Sequence, residues 1–206
     1  MGLLNASCSF TRFRIIDDVP AELWGQLPDK LKQFAFRDID DLPEERAFGW
    51  VCFEDMLDTE WRTAPPDKGA YLLFSLRLDT RRIPAGVIKK HLTLAIRAEK
   101  ERNAQQGKTF VSRERKKELK EQVVLRLRQR FLPIPAEFNV VWATDTQTVW
   151  FASTQGKMVD MFMEYFTQTF DLHLEQMTPF ALALSLLDEA AATRLDTLES
   201  TQFAAE

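Results

Sequence analysis

Apolar and polar positions alternate from the start of the chain. In "CSFTRFRII" (8–16), Phe10, Phe13 and Ile15 are spaced among polar residues, which predicts a strand closed by Asp17-Asp18. The period then lengthens. "PAELWGQLPDKLKQFAF" sets Leu23, Trp24, Leu27, Leu31 and Phe34 at helical spacing behind Pro20, placed at N1, with Pro28 expected to kink or split the helix. "FGWVCFED" (48–55) and "AYLLFSLRLDTRRI" (70–83) predict two more strands, separated by a Pro65-Pro66 and Gly69 loop.

Two helices follow. From about Pro84 to Gln105, Val87, Ile88, His91, Leu92 and Ala95 fall on one face and Lys89, Lys90, Arg97 and Lys100 on another, with Gly107 as the stop. From Ser112, an N-cap, to about Phe131, the apolar face holds Val123, Val124, Leu127 and Phe131. One to two turns earlier that face carries Lys116, Lys117 and Lys120, so the helix is expected to leave the core there. The two helices predict a projecting hairpin (83–131) on an α+β body formed by 1–82 and 132–206.

After Pro133 and Pro135, "EFNVVWATDTQTVWFAS" (137–153) reads as a β-hairpin around Thr144–Gln147. "GKMVDMFMEYFTQTFDL" (156–172) is a helix with Val159, Phe162, Met163, Phe166 and Phe170 on its stripe. "HLEQ" then reads as strand, the alanine-rich stretch after it as helix, and "TRLDTLESTQFAAE" as a frayed helix or tail.

Charge changes the picture most. The 206 residues carry a net charge of −4, yet residues 77–130 hold 17 Lys and Arg against 6 Asp and Glu. That segment is +11 and the rest of the chain −15. Such asymmetry points to a polyanion-binding segment on an acidic body. Ion pairs at helical spacing (Glu114 with Lys117, Arg115 with Glu118, Lys117 with Glu121) account for the acids but not for the excess of cations. Phe110 is the exception to a lack of interleaved aromatics, so backbone contact with a duplex fits better than base stacking on single strands.

Candidate chemistry is sparse. No run of about 18 uncharged apolar residues suggests a membrane span, and no basic-then-apolar start suggests a secretory signal. "MGLLNAS" carries Ala6 where the myristoylation pattern wants Ser or Thr. Cys8 and Cys52 make no disulfide framework, which points to a reducing, cytoplasmic compartment. They give no metal spacing with His91 and His173; His91 reads as a partly buried helix residue. No P-loop, GxGxxG or GxSxG element is present, and no cofactor or catalytic residue is expected. "RDIDDLPEE" (37–45) supplies Asp38, Asp40, Asp41, Glu44 and Glu45, which leaves open a metal-dependent nuclease beside the plainer reading of a solvated acidic turn. A third reading is a module whose basic hairpin docks an acidic protein.

Taken in order, "FGWV", "RRIPAGVIKKHL" (81–92), "KKELKEQV" (116–123), "LPIPAEFNVVWATDTQTVWFASTQG" (132–156) and "MTPFALAL" (177–184) resemble the RdgC family of bacterial recombination-associated proteins. The resemblance runs from about residue 10 to 184. It implies an α+β fold, double-stranded DNA binding with little sequence preference, ring-shaped homodimers with a basic central hole, and restraint of RecA-driven recombination at the nucleoid. The family also carries an exonuclease label. Its members usually continue for about another hundred residues, the scale of one small domain, so the resemblance implies a C-terminally shortened member. Lys89, Lys90, Arg97, Lys100, Arg113, Lys116, Lys117 and Lys120 are the expected phosphate contacts, with Arg81 and Arg82 in second rank.

Overall fold

The computed structural model describes residues 3, 6–105 and 110–198. The elements are β1 (Thr11–Ile15), α1 (Ala21–Gln33), β2 (Arg46–Cys52), β3 (Tyr71–Thr80), α2 (Ala85–Gln105), α3 (Arg113–Arg128), β4 (Ile134–Ala143), β5 (Thr148–Phe151), α4 (Gly156–Phe170), β6 (Leu174–Gln176), α5 (Pro179–Leu186) and α6 (Glu189–Asp196). The six strands form one antiparallel sheet in the order β2-β3-β4-β5-β1-β6. The class is α+β.

Several boundaries shift for local reasons. β1 begins at Thr11 rather than Cys8 because its partner β5 ends at Phe151, opposite Thr11. α1 runs unbroken through Pro28, and Pro20 is its extended N-cap rather than its first helical residue. Gln147 takes φ 52° to close the β4–β5 loop, and Asp171, at φ 59°, ends α4 in a left-handed cap. Gly107 and residues 199–206 lie outside the described residues.

Alternation decides which sheet face is the core. Leu72, Phe74 and Leu76 of β3, Val140 and Trp142 of β4, and Phe13 and Ile15 of β1 point at α1 and α4 and are buried. α4 contributes Phe162, Tyr165, Phe166 and Phe170 within 15 residues. A fully buried Phe contributes about 1.5–3 kcal/mol relative to exposure, so packing rather than helix propensity docks α4. Phe151 and Phe162 stack 4.2 Å apart, and Trp50 packs among Phe74, Tyr165 and Phe170. Two of the polar handles are paired, with Trp50 Nε1 donating to Thr169 Oγ1 at 2.9 Å and Tyr165 Oη donating to the Phe34 carbonyl at 2.6 Å, while the buried Trp142 Nε1 has no partner among the described residues.

On the other face of β3, Ser75, Arg77 and Asp79 are buried although polar. The chain after α1 bridges β2, with Phe36 N donating to Trp50 O, and then crosses over Gly49. A Cβ at Gly49 would stand 2.4 Å from Phe36 Cα, so this crossing requires glycine. Phe36 in turn lies under the Arg77 guanidinium, 4.1 Å from its ring centroid. Among the described residues no helix is long and apolar enough to cross a membrane.

Candidate nucleic-acid interface

β3 and β4 pair over their whole length, from Tyr71 opposite Ala143 to Thr80 opposite Ile134. α2 and α3 are inserted where a tight turn could have joined them. The two helices pack mainly on each other, with little contact to the sheet. They run antiparallel: Glu99, late in α2, meets Arg115, early in α3, while Ile88, early in α2, lies beside Val124 and Arg128, late in α3.

The seam of the hairpin differs from the expected one. Val111, Leu119, Val123 and Leu127 are buried, and Arg115 completes a stripe of residues four apart. Half-buried Ile88, Leu92, Ala95 and Ile96 of α2 face it. α3 therefore stays packed towards its N-terminus, against α2 instead of the main core, and Lys116, Lys117 and Lys120 stand beside the seam rather than on it. Ser112 caps α3, accepting from Arg115 N at 3.1 Å.

One ionic node holds the outer half of the hairpin. Arg115 Nε donates to Glu99 Oε1 at 2.8 Å, Arg115 Nη1 donates to Glu118 Oε2 at 2.8 Å, and Arg102 Nη1 reaches Glu99 Oε2 at 3.3 Å. The Arg115 hydrogen bond holds the Glu99 carboxyl below its ordinary value of 4.5. A lowered carboxylate pKa stabilises the folded hairpin in full above that ordinary value, and the contribution is lost as pH falls through the lowered one. Glu99→Gln is therefore expected to speed amide hydrogen exchange in residues 95–105 and 113–120 at pH 7. At acid pH, where wild-type Glu99 is also neutral, the two proteins should converge.

At the base, Arg128 pairs with Glu45 of the loop before β2. Arg81 corrects an expectation here. It is 3% exposed, and its guanidinium donates to the carbonyls of Ile39, Asp40, Leu42 and Glu44. It is the anchor around which the acidic turn folds, and it is not open to phosphate. Arg82, beside it, is exposed.

The eight first-rank cations are all exposed. Among the described residues none of them is held in an ion pair, whereas Arg77, Arg102, Arg115 and Arg128 are. At about 100° per residue, Lys89, Lys90, Arg97 and Lys100 occupy an arc of about 100° on α2. Arg113, Lys116, Lys117 and Lys120 occupy a similar arc on α3. Each arc is rotated in the same sense away from its helix's seam. In an antiparallel pair, equal senses of rotation bring both arcs to one side of the hairpin. The opposite side carries a groove of about 290 Å³ lined by Ala95, Ala98, Arg102, Arg115, Gln122 and Arg126. The hairpin thus has one face of eight cations without ion-pair partners among the described residues and one of mixed charge.

The acidic turn does not gather its carboxylates. Asp38 accepts from the Asp40 backbone N–H at 2.7 Å and lies 4.0 Å from Arg77. Among the described residues no group of three His, Cys, Asp or Glu side chains is placed to hold a metal ion. His91 is half-buried on α2, and His173 is exposed with Nδ1 3.1 Å from Asp17. The Glu99–Arg115 node was missed in sequence; the four-residue spacing of Val111, Arg115, Leu119, Val123 and Leu127 is the signal that locates it.

A family model described as "RdgC: Putative exonuclease, RdgC" matches residues 9–189. No curated protein matches the chain.

Proposed function

The chain belongs to the RdgC family, and from that membership and its basic helical face we propose that it binds double-stranded DNA without sequence preference and restrains RecA-driven recombination at the nucleoid. The supporting observation is the single face carrying eight exposed cations without ion-pair partners among the described residues. Lys and Arg held this way displace counterions from phosphates and contribute affinity independent of sequence. The α2 cations span Lys89 to Lys100, about 17 Å of helix axis, enough to follow several phosphates along a backbone.

The protein acts as a homodimer, as the resemblance implies, and the acidic turn does not favour the alternative reading of a metal-dependent nuclease. Hydrolysis of DNA by a nuclease of the metal-dependent type needs carboxylates converging on a metal-bound water, and the acids of residues 38–45 instead line a turn closed around Arg81.

Binding to a labelled duplex of random sequence over a salt series tests this reading, with solution mass recorded alongside. With all eight cations engaged, log K should fall against log salt with a slope of about −7. A flat salt response, or tight capture of an acidic protein with no affinity for DNA, would replace it with the protein-docking reading. Mg²⁺-dependent shortening of linear duplex, lost in Asp38→Asn, Asp40→Asn, Asp41→Asn, would restore the nuclease.

A further inference from the structure

We infer that Phe110, at the outer end of the hairpin, is a wedge that enters a base step of the bound duplex; this rests on the duplex-binding reading above. Phe110 is 72% exposed, more than any other aromatic side chain among the described residues. Its backbone is nevertheless held from its carbonyl onward. Asn103 Nδ2 of α2 donates to the Phe110 carbonyl at 2.9 Å, the next residue, Val111, is 6% exposed in the seam, and Ser112 then caps α3. The ring is therefore presented by an anchored segment rather than by a loose end.

Its surroundings select the ligand. Lys100 lies one turn before Asn103 on α2, and Arg113 follows Phe110 by three residues at the start of α3; both are exposed and without ion-pair partners among the described residues. An apolar ring flanked by phosphate-binding cations matches the way proteins unstack and kink duplex DNA, where an apolar side chain slides between base pairs while cations hold the backbone. Neither a sequence-reading amide nor a second aromatic is needed, because the wedge responds to how easily a step opens. The protein should therefore concentrate at weakly stacked or interrupted steps: mismatches, single-base bulges and junctions.

The test uses the whole chain and two 30-bp duplexes, one fully paired and one with a single-base bulge flanked by 2-aminopurine. Wild type should bind the bulged duplex about tenfold more tightly, since part of the unstacking cost is already met, and should change the 2-aminopurine fluorescence. Phe110→Ala should lose both effects while keeping the salt slope on the paired duplex and the wild-type circular dichroism. Phe110→Trp should keep both. Equal affinity of wild type for the two duplexes, or an undiminished preference in Phe110→Ala, overturns the wedge and leaves the duplex-binding reading standing. No binding to either duplex overturns both. Binding to anionic vesicles that is lost in Phe110→Ala, with no bulge preference, assigns the ring to a lipid surface and also overturns the wedge.

Discussion

Replacing Lys116 and Lys117 together by Glu is expected to weaken duplex binding by at least about a hundredfold at 0.1 M salt. Each phosphate contact contributes a slope of about −0.9 in log K against log salt, which at 0.1 M is about a factor of ten in affinity. Two contacts removed give about a hundredfold, and reversed charges add repulsion. The slope itself should flatten by about 1.8. The loss should be equal for unrelated sequences, because backbone contacts position without reading bases. The fold should tolerate the change. Both side chains are exposed, neither is in the buried stripe, and acidic residues near a helix N-terminus are favourable to its dipole. The control is on the same helix. Arg126 is also exposed but lines the groove on the opposite side. Lys117→Glu alone should cost about tenfold or more, and Arg126→Glu much less, although both change the net charge equally. Equal losses would mean that total charge, not the face, controls binding. Unchanged affinity and slope in the double reversal would remove α3 from the interface.

The order of elements was legible in the sequence because the hydrophobic period changes cleanly along it. Alternation in 70–83 and 137–153 marks β3, β4 and β5, and the 3.6-residue stripe of Val159, Phe162, Phe166 and Phe170 marks α4. The eight exposed cations were legible because charge accumulates between two strands. What one chain of letters hides is which neighbour buries a residue. Arg81 looked like a surface cation beside Arg82, yet four carbonyls from residues 39–44 surround it. Nothing local distinguishes the two arginines; the carbonyls lie about forty positions earlier in the chain. The seam of α3 was misplaced for a related reason. A helix that packs only on another helix buries a narrow stripe, and a charged residue such as Arg115 can belong to it when a carboxylate stands opposite.

The largest expected effect on stability falls at Asp79, where the same kind of hidden partnership is enclosed in the sheet. Asp79 accepts from Arg77 through both oxygens at 2.8 Å, and the two side chains are 2% and 8% exposed. That hydrogen-bonded pairing is the main reason the guanidinium is held even more firmly protonated than usual; without its partner it still keeps its charge, because arginine stays protonated at any ordinary pH. Asp79→Ala leaves it with the Phe36 ring, a 3.3 Å hydrogen bond to the Met56 carbonyl, and the mostly exposed Asp38 carboxylate 4.0 Å away. Stranding one member of a buried pair costs about 3–5 kcal/mol. For a chain of this size each kcal/mol moves the midpoint by about 2–4 °C, so the melting temperature should drop by about 6–20 °C. Arg77→Met with Asp79→Leu should recover most of that loss, because the main cost is the unpaired charge rather than the missing attraction. A double variant less stable than Asp79→Ala would show that the pair does more than neutralise itself. The most direct candidate is the path to the hairpin: Asp79 lies two residues before Arg81, whose carbonyl cage and neighbouring Arg128–Glu45 pair form the base of α2 and α3. Thermal unfolding read together with duplex affinity separates the two effects. A variant that is less stable but binds normally below its melting temperature confines Asp79 to the body. One that binds weakly while fully folded makes this end of β3 the support on which the basic face is aimed.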